Sequence, residues 1–570
     1  MTEHIRSVDT SGSNTLTTPS GARAHRDHIA HNEVLAKQFY SVRPGVWNFV
    51  GNGLSNQTFV EGPGGIIAID TGESIEEMRS ALAALRQHTS APIAAVVYSH
   101  FHYIEGTKAV LEEGNHVSPL PIYGHPKIAG NRERTASEIS PAYVRGMVEQ
   151  FGIFLPADGP DGLVNIGLGF YFRSPDHAPF TPGHLPVTHE FTDGATLTIA
   201  GLDVHVYYAP SDSDDSVTMW FPTLDLVVHN LIWPALFNVF AIRGEEYRDC
   251  QVMIRGIDQL RALQPHYLVA THGPPLIGQE RVAAATERYR DSLQFLWDQT
   301  VRGINKGFST DQLAETVRLP DLYDVDYLTS ERYGIAEHHV RQIHNGLRGF
   351  FDGDESKLLP VAPAERYGRL IQGFGGRDAV TQQVESALQA DDVRWATELA
   401  TWLVRSEGAI DPDRQLLARC LRVIAERTPA ANIRNWCLAR ARHLDGTTPM
   451  NTMFRHRFTQ RALDGLSTAS AISTLRVLLD PSRVEGFECH VGFVVGDDRT
   501  GLHIRNGVAV PTSGEGADVV LTMSRATLDS LLSEKTQLSD VVADESVQIT
   551  GDEESARTAL GAFELKGLRS

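Results

Sequence analysis

Between Val46 and about Gly278, short runs of β-branched and apolar residues alternate with stretches of helical period. Gly64-Gly65-Ile66-Ile67-Ala68-Ile69-Asp70-Thr71-Gly72 reads as a buried strand that ends in an acidic turn. Ser74 to Arg86 follows with its apolar positions on one helical face, and Ser74 is placed to cap it ahead of Glu76 and Glu77. Pro92 to Tyr98 is the next strand. Strands alternating with helices predict an α/β scaffold. Residues 119–195 are rich in Gly and Pro, with Gly159-Pro160-Asp161-Gly162 among them. They read as a long insertion, and loops laid over a scaffold often carry substrate specificity.

From about Gln279 to Gly446 the period becomes helical. Asp392 to Val404 and Gln415 to Arg427 are amphipathic, and Leu359-Pro360 and Asp411-Pro412 mark joints between helices. A stack of antiparallel helix pairs is expected there. The last stretch, from about Asn451 to Ser570, returns to α+β. Glu488 to Val495 and Leu502 to Ile504 read as strands, and Thr527 to Ser533 as a helix. The expected organisation is a disordered leader over 1–35, a catalytic α/β domain over 36–300, a helical domain over 301–446 and an α+β domain over 447–570.

Composition changes this picture little. A chain of 570 residues is too long for one core. The formal net charge of -20 argues against nucleic acid and against an anionic membrane surface as partners. No run approaches the roughly 20 apolar residues of a membrane span. The polar first residues lack the apolar core of a signal peptide. Four scattered cysteines fit a reducing compartment, so a cytoplasmic location is expected.

The candidate chemistry lies where apolar strands end. Val96-Val97-Tyr98-Ser99-His100-Phe101-His102 places two histidines at i, i+2, on one side of an extended segment. Asp212 follows another strand, in Ala209-Pro210-Ser211-Asp212-Ser213-Asp214-Asp215. His272 ends a third, in Leu268-Val269-Ala270-Thr271-His272-Gly273-Pro274. Carboxyl ends of strands are where open α/β folds bind ligands. Imidazole nitrogens with a carboxylate suit zinc, which lowers the pKa of a bound water to about 7. Glu105, three residues after His102, is a further candidate ligand and catalytic carboxylate. A histidine at a strand end is more often simply hydrogen-bonded, and the Asp212, Asp214, Asp215 run reads equally as a solvated turn.

Taken together, these segments resemble the alkyl sulfatases of the metallo-β-lactamase superfamily. The resemblance runs over residues 40–570. It rests on Leu54-Ser55-Asn56-Gln57-Thr58-Phe59-Val60-Glu61-Gly62, on Gly159 to Leu163 with Gly167-Leu168-Gly169, and on Asn238-Val239-Phe240-Ala241-Ile242-Arg243-Gly244 with Tyr247-Arg248-Asp249. Gly349-Phe350-Phe351-Asp352-Gly353 and Arg434-Asn435-Trp436 carry it into the helical part, and Ala517 to Met523 into the last domain. It implies a metallo-β-lactamase-like αββα sandwich, a helical dimerisation domain and a sterol-carrier-protein-like domain with an apolar tunnel. It also implies a homodimer, hydrolysis of sulfate esters with apolar tails, and a dinuclear zinc site.

The departures bear on that site. The resemblance assigns His100, His102, Asp212 and His272 as metal ligands, with Arg243 and Asn238 as further active-site residues. The family's aspartate and following histidine fall on Ile104 and Glu105, a later glutamate falls on Asn230, and two further histidines fall on Pro234 and Phe237. Loss of these donors implies one ion rather than two. Exchange of histidine for carboxylate admits Fe²⁺ or Mn²⁺ beside zinc. Three functions follow as alternatives: a metal-dependent sulfate-ester hydrolase, a redirected mononuclear metalloenzyme such as a non-haem iron oxygenase or a lyase, and an inactive protein that binds a lipid-like ligand.

Overall fold

In the computed structural model, residues 7–456 and 458–569 are described. The expected disordered leader is corrected over residues 7–35. Strands β1 (Thr15–Thr17) and β2 (Arg23–His25) pair antiparallel and lead into the helix Arg26–Ala30. Polar composition suggested disorder, but these polar groups have distant partners. Asp9 holds buried His25 at 3.0 Å, the Thr15 hydroxyl donates to the Glu426 carbonyl, and the Asn165 amide donates to the His28 carbonyl. Residues 1–6 of the expected leader lie outside the described residues.

Two sheets form the α/β part. The first runs β3 (Gln38–Arg43), β4 (Val46–Val50), β5 (Gln57–Gly62), β6 (Gly65–Ile69), β7 (Ile93–Val97), β8 (Ile122–Gly124) and β9 (His189–Glu190) in that order. It is antiparallel as far as β6 and parallel from β6 to β9. The second runs β10 (Ala195–Ile199), β11 (Leu202–Tyr208), β12 (Val217–Phe221), β13 (Leu226–His229), β14 (Tyr267–Ala270) and β15 (Leu276–Ile277). Only β13 and β14 in it are parallel.

Side-chain alternation builds the layers. Along β6, Ile67 and Ile69 face the second sheet with Val97, Val206, Met219, Val228 and Val269. Ile66 and Ala68 face outward onto Met78, Leu82 and Leu85 of the helix Ile75–Leu85. Fully burying one such aliphatic side chain contributes about 1.5–3 kcal/mol. Ser74 caps that helix as expected, accepting from the Glu77 N–H at 3.2 Å. The outer face of the second sheet, Val227 and Leu268, packs on Ile257 and Leu260 of Cys250–Ala262 and on Tyr289 and Leu293 of Gln279–Asn305. The result is the metallo-β-lactamase-like αββα sandwich that the resemblance implied.

The helices Pro363–Gly373, Arg377–Gln389, Val393–Arg405, Asp411–Arg427 and Ala431–Leu444 share their own core around Leu399, Leu403, Leu417 and Leu438. Residues 129–145 and 450–570 make a second compact unit, and the rest of the chain makes the first. In the second unit, β16 (Cys489–Val495), β17 (Asp498–Arg505), β18 (Val508–Thr512), β19 (Val519–Met523) and β20 (Val547–Thr550) form one sheet in the order β18-β17-β16-β19-β20. Phe493, Leu502, Leu521, Leu531 and Phe563 fill its core. An open cleft of about 740 Å³ in this unit is lined by Arg134, Ser137, Ser470, Arg476 and Thr512 among others. Among the described residues, no helix is long and apolar enough to cross a membrane.

Candidate metal centre

Parallel strands β6 and β7 bring Asp70 and Ser99 together just beyond their carboxyl ends. Asp70 adopts a left-handed backbone, φ 58°, which aspartate tolerates better than most residues. Its carboxylate accepts from the Ser99 N–H at 2.8 Å and from the Ser99 hydroxyl at 2.6 Å. With its proton given to Asp70, Ser99 Oγ accepts from His100 Nδ1 at 2.8 Å. The proton on Nδ1 leaves the Nε2 lone pair facing inward. An outer carboxylate that fixes a histidine tautomer in this way is typical of metal sites.

His100 Nε2 lies 3.4 Å from Asp212 Oδ2, and His102 Nδ1 lies 2.7 Å from the same oxygen. His102 sits in a single 3₁₀ turn, Phe101–Tyr103, that follows the strand end and turns its ring toward Asp212. Among the described residues, His100, His102 and Asp212 form the group of three donors that could hold an ion, their ligand atoms all within 4.8 Å of one another. Two imidazoles and a carboxylate with open positions fit zinc, iron(II) or manganese.

Two arginines surround the carboxylate. Arg248 forms an ion pair with Asp212 Oδ1 and donates from Nε to the Asp212 carbonyl at 3.1 Å and from Nη1 to the Asn238 carbonyl at 2.7 Å. Its guanidinium lies over the rings of Trp233 and Phe237. Arg243 pairs with Glu245 at 2.8 Å and lies 3.9 Å from Asp212 Oδ1. Burial opposes the charge on Asp212, yet His102, Arg248 and His100 hold its carboxyl well below the usual range. Burial also opposes the His100 imidazolium, but Asp212, Asp70 and Asp215 outweigh it and raise that pKa.

The remaining predicted residues are placed differently. His272 is buried beside this group but outside it, with Nδ1 against the Leu54 carbonyl at 3.0 Å and Nε2 at 3.3 Å from the Tyr103 hydroxyl. Burial pushes its pKa down to about 4. Glu105 does not join the group either. Its N–H donates to the Gly72 carbonyl, its carbonyl accepts from the Gly183 N–H, and its charge acts on Tyr98. Glu105 thus stands outside the group of three donors, in the turn that carries the Gly72–Ile104 bridge. Asn238 is buried with its side chain against Gly334. It meets the site through its carbonyl, on Arg248.

Apart from Glu105, the substituted positions are filled by uncharged groups. Ile104 is core, packed with Met78, Phe101 and Val110. Asn230 Oδ1 accepts from the Trp233 indole at 3.0 Å, which turns its amide nitrogen toward His100 at 3.4 Å. Phe237 stacks on Trp233 at 4.3 Å. Sequence reasoning assigned no role to Tyr103, Arg248, Glu245, Ser99 or Asp70. The available signals were the Arg248-Asp249 pair within the resemblance, the acidic turn after β6, and the aromatic residue beside His102.

Residues 309–447 match the family model for alkyl sulfatase dimerisation, and residues 458–566 match that for the alkyl sulfatase C-terminal domain. A linear primary-alkylsulfatase of Pseudomonas sp. (strain ATCC 19151) is 32% identical over 524 residues, covering 89% of this chain and 98% of the relative. An (R)-specific secondary-alkylsulfatase of Pseudomonas sp. is 26% identical, covering 90% and 79%. The solved structure of the stereoselective inverting sec-alkylsulfatase Pisa1 from Pseudomonas sp. superposes with a TM-score of 0.83 at 23% identity, covering 98% of this chain and 89% of that one. With a relative at this level of identity matched along nearly its whole length, the chain belongs to the alkyl sulfatase family.

Proposed function

We propose that this protein is a metal-dependent hydrolase of sulfate esters that carry an apolar tail, working as a homodimer with one ion per chain. The observation that carries this reading is the convergence of His100 Nε2, His102 Nδ1 and Asp212 Oδ2 on one point. An ion held there would supply Lewis acidity to the ester and lower the pKa of a water. The names of the relatives supply the substrate class.

The chain's own groups have separate tasks. Asp70 and Ser99 keep the His100 lone pair aimed at the ion. Arg248 fixes the Asp212 carboxylate. Arg243, 3.9 Å from that carboxylate, offers a planar fork that matches two oxygens of a sulfate group. Leu54, Phe151, Leu168 and Phe237 belong to the same buried apolar cluster as Tyr103, so the surroundings of the site are apolar, in keeping with a tail of that kind. The dimer is supported by the match of residues 309–447 to the dimerisation family model. All four cysteines are unpaired, in keeping with a cytoplasmic, reducing compartment.

The test is sulfate release from dodecyl sulfate, measured by ion chromatography on protein loaded in parallel with zinc, iron(II) and manganese. Sulfate release with at least one of these ions, abolished in His102→Ala, is expected. A folded dimer that releases none with any of them would sink the proposal.

A further inference from the structure

His272 ends β14 beside the donor group, yet its two ring nitrogens are both committed elsewhere. The Leu54 carbonyl, 3.0 Å from Nδ1, can only accept, so Nδ1 carries the ring proton. Nε2 is then the acceptor, and the hydroxyl 3.3 Å away on Tyr103 must donate to it. The single lone pair that could bind a metal is thereby used. Tyr103 is buried, and its ring stands edge-on between His272 at 5.4 Å and His100 at 5.1 Å. Trp233 meets the other side of His272 edge-on at 5.3 Å and fixes the ring plane. A zinc–nitrogen bond needs about 2.0–2.1 Å along the lone pair. The Tyr103 hydroxyl on that nitrogen competes with any ion for the one lone pair of His272.

Ile104 and Phe237, two of the positions where the resemblance expects ligands, are packed in apolar clusters, and Asn230 turns an amide nitrogen toward His100. These three positions supply no anionic or imidazole donor to a second cation.

We propose that His272 is a positioning residue, not a metal ligand: it holds the Tyr103 phenol as a wall of the site, which limits the centre to one ion on three protein donors. This rests on the metal-dependent reading above. The phenol lies in the field of Asp212, Glu73, Tyr333 and Arg243.

The test begins with the unmodified protein loaded with zinc. Its metal content should be one ion per chain, and X-ray absorption should count two imidazoles on that ion. Two ions per chain, or three imidazoles, would overturn the proposal. His272→Gln and Tyr103→Phe should keep the ion with affinity within about threefold of the parent, and their cobalt-substituted visible spectra should superpose on it. A tenfold or greater loss of affinity in His272→Gln, or a changed cobalt spectrum, would equally refute it. His102→Ala separates the two levels of the argument. If that variant keeps its ion at full affinity, the metal-centre reading itself fails. If it loses the ion and His272→Gln loses it too, only the present inference fails.

Discussion

Replacing Arg248 by Ala removes the main counter-charge of a buried carboxylate. Both side chains are almost fully enclosed, and Asp212 has no route to water when its partner is removed. Breaking a buried ion pair from one side costs about 3–5 kcal/mol. The variant also strips donors from the carbonyls of Asp212 and Asn238 and empties the space over Trp233 and Phe237. Against that, Asp212 keeps His102 at 2.7 Å and has Arg243 at 3.9 Å. The expected loss lies at the low end of that range, about 3 kcal/mol, in the metal-free protein. The assay is urea unfolding in chelator, followed by tryptophan fluorescence because Trp233 lies under the guanidinium. Asp212→Asn and the double variant complete a cycle, and the double should cost at least about 1 kcal/mol less than the sum because the residues touch. A loss below about 1 kcal/mol for Arg248→Ala, or strict additivity in the cycle, would refute the reasoning.

Two other perturbations test separate parts of the site. Asp70→Asn offers an amide to Ser99 Oγ, so Ser99 donates to His100 Nδ1 instead and the ring proton moves to Nε2, facing the ion. Metal affinity should fall about 10–100-fold in a chelator competition, and unchanged affinity would exclude the Asp70–Ser99 relay. Glu77 is buried beside Glu73, and burial raises its pKa to about 8 from an unfolded value near 4.5. The folded state therefore favours the protonated acid, and this contribution is full below about pH 4.5 and lost as pH rises through about 8. Glu77→Gln should gain stability relative to the parent by about 1.4 kcal/mol per pH unit across that window, read from urea midpoints; a flat difference would rule out the buried neutral acid.

Elements with a clean period were legible in the sequence. Ser74 to Arg86 was expected as a capped helix and spans Ile75–Leu85, and Pro92 to Tyr98 was expected as a strand and spans Ile93–Val97. Both are decided locally, by side-chain spacing and a cap. The leader was misjudged because its polar groups are satisfied by Glu426, Asn165 and Gly167, partners far along the chain that composition does not reveal.

The same distinction runs through the site. His100, His102 and Asp212 were legible because they follow the ends of two strands, β7 and β11, which bring them together. Glu105 was judged by its place in a motif, and it stands outside the group of three donors, in a turn whose backbone bridges to Gly72. His272 was judged by its strand end too, and it does arrive at the site. Its chemistry is decided by Tyr103, a residue that no spacing rule marks, because a phenol beside a histidine is ordinary core composition until the two are seen to share one lone pair. A donor list read from sequence therefore bounds the ligands from above. The number that bind is set by which lone pairs neighbouring hydrogen bonds leave unused, and on the proposal above that count is three.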